Sequence, residues 1–152
     1  MRPAPEPASA PSLAWLAKIY EDYGVGRTER FFAHLAEDVV WVSNSTTAAL
    51  RPIAGTFLGH EGVRRFFEIL GKDWALIRWE VEGMTEEGEL IHVRNRVLAV
   101  NLNTGKHVET RTRHCLTVRG ETILRFEESY DDELPIAAAG HLDSCSPVSR
   151  GR

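Results

Sequence analysis

The sequence predicts an α+β domain in which helices cover one face of an antiparallel sheet. Three observations carry that expectation. Apolar residues recur at helical spacing up to Leu70, the period changes to two from Trp74 onward, and glycine-bearing turns divide the second half into hairpin-length runs.

Composition narrows the class before any element is placed. With 43% hydrophobic and 26% charged residues in 152, the chain falls among ordinary globular proteins long enough for one cored domain. A formal net charge of -4 argues against nucleic acid as a partner. No apolar run reaches the ~20 residues that cross a bilayer, so no membrane partner is expected. The opening MRPAPEPASAPS lacks the apolar centre of a signal peptide, and a cytoplasmic protein is expected. Cys115 falls in a strand pattern and Cys145 in a polar tail, so no disulfide and no metal-ligand spacing is expected from them.

Residues 1–11 are rich in proline and alanine and read as a disordered leader. Ser12 is a candidate cap for a helix over Leu13–Tyr23, whose stripe is Leu16, Ile19, Tyr20 and Tyr23, with Gly24 and Gly26 ending it. Arg27–Ala36 reads as a second helix burying Phe31, Phe32 and Leu35. Val39–Ser43 is a short strand with Val39, Trp41 and Ser43 on one face, and residues 44–53 read as a loop. Gly55–Leu58 is a short strand, and Gly59–Leu70 is a helix with Val63, Phe66, Phe67 and Leu70 on its stripe and Glu61 in its first turn, where the dipole favours an acid.

In the second half Ile77, Trp79 and Val81 share one strand face. Leu90–Val100 directs Ile91, Val93, Asn95, Val97 and Ala99 inward. Lys106–Val118 directs Val108, Thr110, Thr112, His114, Leu116 and Val118 inward. In Thr122–Asp131 the apolar face is Leu124, Phe126, Glu128 and Tyr130. From Pro135 the chain reads as a tail, which gives a leader over 1–11, a domain over 12–134 and a tail over 135–152.

Four polar residues fall on apolar faces: Ser43, Asn95, His114 and Glu128. A three-residue loop over 120–122 would set His114 directly across from Glu128. A carboxylate in an apolar pocket is pushed toward its neutral form and a neighbouring imidazolium pulls it back, so either group could move a proton near neutral pH. Glu128 and His114 are therefore the candidate catalytic pair. Asn95 and Ser43 are candidate orienting groups, and Tyr20, Tyr23, Trp41, Phe66, Trp79 and Phe126 are candidate pocket walls. The opposite faces carry Arg94, Arg96, Arg111, Arg113 and Arg125 among Glu109 and Glu127, a two-sign ladder expected to be solvated or cross-paired. His60, at the start of the third helix, reads as a surface residue or a local cap; His34, His92 and His107 show no ligand spacing, and neither a phosphate loop nor a nucleophile elbow is present, so no metal and no cofactor is assigned.

A tyrosine-bearing first helix ending in Gly-x-Gly, then LAEDVVW, AGTFLGHEGVRRFF and a closing ILRFEESYD, together resemble the SnoaL-like branch of the nuclear transport factor 2-like superfamily. That superfamily includes ketosteroid isomerases, polyketide cyclases, scytalone dehydratase and limonene epoxide hydrolase. The resemblance spans about residues 12–134. It implies a cone-shaped α+β barrel, three N-terminal helices on a strongly curved, mainly antiparallel sheet around a deep pocket, and homodimers formed through the sheet's outer face. Where the isomerases carry their first-strand Asp this chain has Ser43, and where they carry the oxyanion-hole Asp it has His114. The last-strand acid of the polyketide cyclases corresponds to Glu128. The resemblance thus implies a cofactor-free isomerase, cyclase or dehydratase acting on a hydrophobic carbonyl compound. Two alternatives are a module that binds a lipophilic ligand unchanged, and a dimeric assembly protein.

Overall fold

The structure is a computed structural model that describes residues 11–142. The expected leader, apart from Pro11, and the final part of the expected tail, 143–152, lie outside the described residues.

A single 3-10 turn, Pro11–Leu13, precedes α1 (Ala14–Gly24). Ser12 does not cap this helix: its Oγ donates to Glu86 Oε1 at 3.1 Å, and Leu13 occupies the cap position without a side-chain bond. The expected stripe is in place, with Leu16, Ile19 and Tyr20 buried. The second helix, α2 (Glu29–His34), is shorter than expected, because Leu35 and Ala36 already belong to β1 (Leu35–Ser43). Residues 44–53 are not wholly irregular: Ala48–Ile53 forms a 3-10 helix that buries Leu50 and Ile53. After β2 (Gly55–Leu58), α3 runs over Gly59–Asp73 and buries Val63 and Phe66.

The strands β3 (Trp74–Glu87), β4 (Leu90–Asn101), β5 (His107–Arg119) and β6 (Thr122–Tyr130) follow as antiparallel hairpins. The six strands lie in the order β2-β1-β6-β5-β4-β3, and β1 runs parallel to β6. The sheet curves around a pocket without closing on itself: β2 and β3 are its two edges. The architecture is the expected cone-shaped α+β fold.

Bulges set the phase of each strand. On β3 the register shifts between Leu76 and Arg78, so Trp74 and Leu76 lie on the pocket face while Ile77, expected there, stands 48% exposed. A second shift between Val81 and Gly83 returns Met84 to the core at 1% exposure. On the last hairpin the turn is two residues, Gly120 and Glu121, with Arg119 paired to Thr122 and Val118 to Ile123. The register shifts by one residue between that pair and Thr117–Arg125. Ile123 is consequently the buried residue and Leu124 only half-buried, the reverse of the expected alternation.

The segment read as tail from Pro135 begins with a further helix, α4 (Leu134–Ala139). Proline sits in its first turn, where a missing N–H costs nothing. Ile136 and Ala139 are buried and belong to the same core as α1 and the sheet.

Two glycines of α3 have opposite surroundings. A Cβ on Gly71 would meet nothing within 4 Å, whereas one on Gly62 would lie 2.9 Å from the Phe57 carbonyl carbon, a backbone atom. Alanine is favoured over glycine inside a helix by about 1 kcal/mol. Gly71→Ala should therefore raise the unfolding free energy by roughly 0.5–1 kcal/mol, and Gly62→Ala should lower it despite the same propensity gain; chemical denaturation of the two variants measures both.

Candidate functional site

The pocket lies between the concave face of the sheet and the helices, with a cavity of about 110 Å³. Its walls are mainly aromatic. Trp41 from β1 stacks on Phe126 from β6 with ring centroids 3.8 Å apart at 13°. Phe66 and Phe67 from α3 pack against Trp41 at 5.4 and 5.6 Å. Tyr23 from α1 meets the edge of Trp79 at 4.9 Å.

Across this apolar surface β5 and β6 bring His114 directly opposite Glu128, as expected. His114 Nε2 lies 2.7 Å from Glu128 Oε2, with the two side chains only 3% and 10% exposed. Tyr130 donates its hydroxyl to the other carboxylate oxygen, Oε1, at 3.1 Å. Glu128 thus has a donor on each oxygen, the condition under which a carboxylate tolerates an apolar wall. It is the one carboxylate lining the pocket among the described residues.

The far side of the imidazole is equally determined. Tyr20 Oη lies 2.6 Å from His114 Nδ1. Asn95 Nδ2 is 3.4 Å from the same nitrogen and donates to Thr112 Oγ1 at 3.2 Å. Trp79 donates its indole N–H to Asn95 Oδ1 at 3.2 Å. An indole can only donate, so this bond fixes which end of the amide is oxygen. The NH2 end must then face His114, and Nδ1 is an acceptor for both Asn95 and Tyr20. Nε2 then carries the proton directed at Glu128.

The expected site residues divide into wall and support. Glu128, His114, Tyr23, Trp41, Phe66, Trp79 and Phe126 line the pocket. Tyr20 and Asn95 stand behind it, gripping His114 rather than facing the cavity. Ser43 is also outside the lining; its Oγ is buried, close enough to Tyr130 to pull that phenol slightly down, yet completes no hydrogen bond. Sequence reasoning missed Tyr130, Trp74, Leu50 and Ile136 as walls. Tyr130 was on the inward face and two residues from Glu128, a signal sufficient to include it.

The segment from 44 to 53 and α4 close one side of the pocket through Leu50 and Ile136. Glu133 holds them together: its Oε1 accepts from Thr46 N at 3.0 Å, Thr47 N at 2.9 Å and Ser45 Oγ at 3.0 Å. Burial pushes this carboxyl upward, but those donors outweigh it and leave it below the ordinary glutamate value. Two further polar atoms of the pocket residues are unsatisfied. Trp41 Nε1 and Trp74 Nε1 are buried without a partner among the described residues, each an omission that costs about 1–3 kcal/mol.

Among the described residues no cluster of three His, Cys, Asp or Glu side chains could hold a metal ion, and no helix is long and apolar enough to cross a membrane. Cys115 is a free thiol on the outer face, raised by burial, and Cys145 lies outside the described residues.

A strongly curved sheet with a helical cover and one polar cluster on an aromatic pocket is the architecture of a nuclear transport factor 2-like protein. The family is shown directly: the SnoaL-like domain profile matches residues 16–126, and the chain belongs to that family. No curated protein sequence matches it. Among solved structures it is similar to an NTF2-like protein of unknown function from Burkholderia pseudomallei, with 21% identity over 86% of this chain and 98% of that one and a TM-score of 0.76. It is similar as well to TerC co-crystallised with polyporic acid, at 20% identity over 86% and 98% of the two chains and a TM-score of 0.74. A protein from Mesorhizobium loti described as a SnoaL-like polyketide cyclase shares 16% identity over 76% and 96%, with a TM-score of 0.63. At these identities the likeness is one of fold.

All three tyrosines of the chain surround the cluster, and all are held as phenols. Burial, then the Glu128 carboxylate, raises Tyr20, Tyr23 and Tyr130 above the ordinary value of 10.0. Native tyrosines retain protons that the unfolded chain releases, so their contribution to stability is complete below about pH 10 and is lost as pH climbs toward the raised native values. Alkaline titration should therefore show no tyrosinate absorbance while the fold persists, then a single step that coincides with loss of far-ultraviolet circular dichroism.

Proposed function

We propose that the chain is an acid–base enzyme, of isomerase, cyclase or dehydratase type, that uses its own side chains on an uncharged carbonyl compound held in the aromatic pocket. The observation that carries this reading is the Glu128 carboxylate, 7% exposed on the wall of an apolar cavity with each oxygen engaged by a donor. A carboxylate on the wall of such a cavity is within reach of a C–H of a bound compound, which is the geometric requirement for a general base.

In the proposed step Glu128 takes a proton from the carbon next to the carbonyl. The C–H electron pair becomes the new C=C bond, and the carbonyl π pair moves to oxygen to give an enolate. Protonated Glu128 is a poorer acceptor for Tyr130, whose hydroxyl is then free to donate to the enolate oxygen. Returning the proton to a different carbon isomerises the compound. Attack of the enolate carbon on a second carbonyl closes a ring, the new alkoxide taking the proton back from Glu128; alternatively, a β-hydroxyl that receives that proton departs as water as the enolate carbonyl re-forms, leaving a C=C bond. His114 donates to Glu128 throughout and stabilises its charged form.

Glu128→Gln is the direct test, read as deuterium exchange at the α-carbon of a panel of enolisable ketones. The exchange rate should fall by about 10²–10⁴-fold, and an unchanged rate would remove Glu128 from the mechanism.

The same pocket supports a second reading, retention of a lipophilic ligand without turnover, because Glu128 is its one lining carboxylate among the described residues and no second acid faces it. A molecule that co-purifies with the chain, identified by mass spectrometry, is the first ligand to examine. Recovery of an unaltered ligand after prolonged incubation would favour this reading over catalysis.

We also infer a cytoplasmic homodimer formed on the outer face of the sheet. The supporting feature is the two-sign charge pattern there, with Arg96 paired to Glu109, Arg111 to Glu82 and Arg113 to Asp131, which a two-fold partner could complement. Sedimentation equilibrium should give twice the chain mass, and a monomer at micromolar concentration would count against the dimer.

A further inference from the structure

Trp79, Asn95, His114 and Glu128 come one each from four adjacent strands, β3, β4, β5 and β6. Their polar atoms form a single row across the sheet. Trp79 Nε1 lies 3.2 Å from Asn95 Oδ1, Asn95 Nδ2 lies 3.4 Å from His114 Nδ1, and His114 Nε2 lies 2.7 Å from Glu128 Oε2. Asn95 and His114, in the middle, are 0% and 3% exposed, so bulk water does not substitute for these partners.

The members of the row differ in what they can decide. The middle two are adaptable: an amide can turn end for end, and an imidazole can carry its proton on either nitrogen. The Tyr20 and Thr112 hydroxyls that touch the row can each donate or accept, so they follow either arrangement. Direction comes only from the ends. The indole of Trp79 can only donate, and the ionised carboxylate of Glu128 can only accept. Both ends demand the same arrangement, with the imidazole proton on Nε2. The carboxylate's demand lapses once Glu128 has taken a proton from a ligand, because a carboxylic acid can donate as well as accept. From that moment the indole end alone holds the row. With Nε2 already protonated and Nδ1 facing donors, His114 then has no open position for the proton on Glu128.

We infer that Trp79 and Asn95 are positioning residues of the acid–base pair, an inference that rests on the reading of Glu128 as the base. They keep the His114 proton on Nε2 while Glu128 holds the proton taken from the ligand. That proton stays at the cavity wall, where it is returned to the ligand rather than passed inward to the imidazole. Trp79 acts through Asn95 and Asn95 through His114, and neither moves a proton itself.

The test is a double-mutant cycle on the full chain labelled with ¹⁵N. Long-range ¹H–¹⁵N correlation at neutral pH reads which ring nitrogen of His114 is protonated, the ring being assigned through its bonds to its own backbone. Glu128→Gln removes the carboxylate's demand, since an amide there can meet Nε2 with either end. Trp79→Phe keeps an aromatic wall and removes only the donor. The native chain and each single variant should show Nε2 protonated and Nδ1 bare, because one end of the row still holds. In the double variant the Nδ1-protonated form should appear. Asn95→Asp, which sets an acceptor against Nδ1, should draw a proton there in one step. A protonated Nδ1 in the native chain would overturn the inference, and so would its appearance in Glu128→Gln alone, since the carboxylate would then be the sole lock. A double variant that keeps Nδ1 bare would assign the lock to another group and overturn it as well. The native chain and Glu128→Gln decide the matter even where the other variants fail to fold. None of these readings needs turnover. The expected cycle together with unchanged deuterium exchange in Glu128→Gln would sink the acid–base reading alone; lost exchange with a failed cycle would sink this inference alone.

Discussion

An ionised carboxylate on the apolar face of a strand is tolerated only while both its oxygens are engaged, and much of this molecule is arranged around meeting that condition for Glu128. The donors come from separate elements. His114 reaches it from β5 and Tyr130 from its own strand, while Tyr20 from α1 and Asn95 from β4 hold the imidazole from behind. Removing a donor from a buried acceptor leaves it unsatisfied, at a cost of about 1–3 kcal/mol. The docking of α1 and the registers of three strands are therefore coupled through one polar cluster inside an otherwise aromatic core. This cluster adds directional constraints that close packing of rings alone would not impose.

The pair itself was legible in the sequence because strand alternation is a strict parity. Once His114 and Glu128 both fell on apolar faces, any even offset that matched their positions set them opposite each other. The register came out as expected for a different local reason. A two-residue turn at Gly120 and Glu121 followed by a one-residue bulge gives the same offset beyond Leu124 as a three-residue loop. The price of that ambiguity was the phase near the turn, where Ile123 and Leu124 exchange roles. Ile77 was misplaced for the same cause on β3. A bulge adds a residue without altering hydrophobic composition, so a run of alternating residues carries no mark of where parity resets.

Other differences trace to groups whose position depends on distant partners. Ser12 has the composition of a helix cap, but Glu86 competes successfully for its hydroxyl. Asn95 and Tyr20 were placed in the correct neighbourhood and given the wrong task, since periodicity reports a face and not the depth a side chain reaches. The helix α4 did leave a signal, the Leu134-Pro135 start followed by Ile136 and alanines. Its small size hid it among polar tail residues, and its significance is tertiary: Ile136 lines the pocket, and Glu133 just before the helix is bonded to residues 45–47.

The hydrogen-bond directions also decide which member of the pair is free to accept a proton. A second proton on His114 would have to sit on Nδ1, where it would meet the NH2 group of Asn95. That amide cannot turn to offer its oxygen, because Trp79 already donates to Oδ1 and has no acceptor to give in exchange. Tyr20 could reverse to accept, but its phenol is then left without the acceptor that satisfies it in a buried site. Glu128 meets no such obstacle. Either oxygen can take a proton at the expense of one incoming bond, and the bond from Tyr130 is the longer of the two at 3.1 Å against 2.7 Å. In the proposed acid–base reading, the pair therefore takes the roles of a carboxylate base and a fixed imidazole donor behind it. Trp79, a pocket wall and an indole donor at once, is the residue that makes this division of roles a property of the fold.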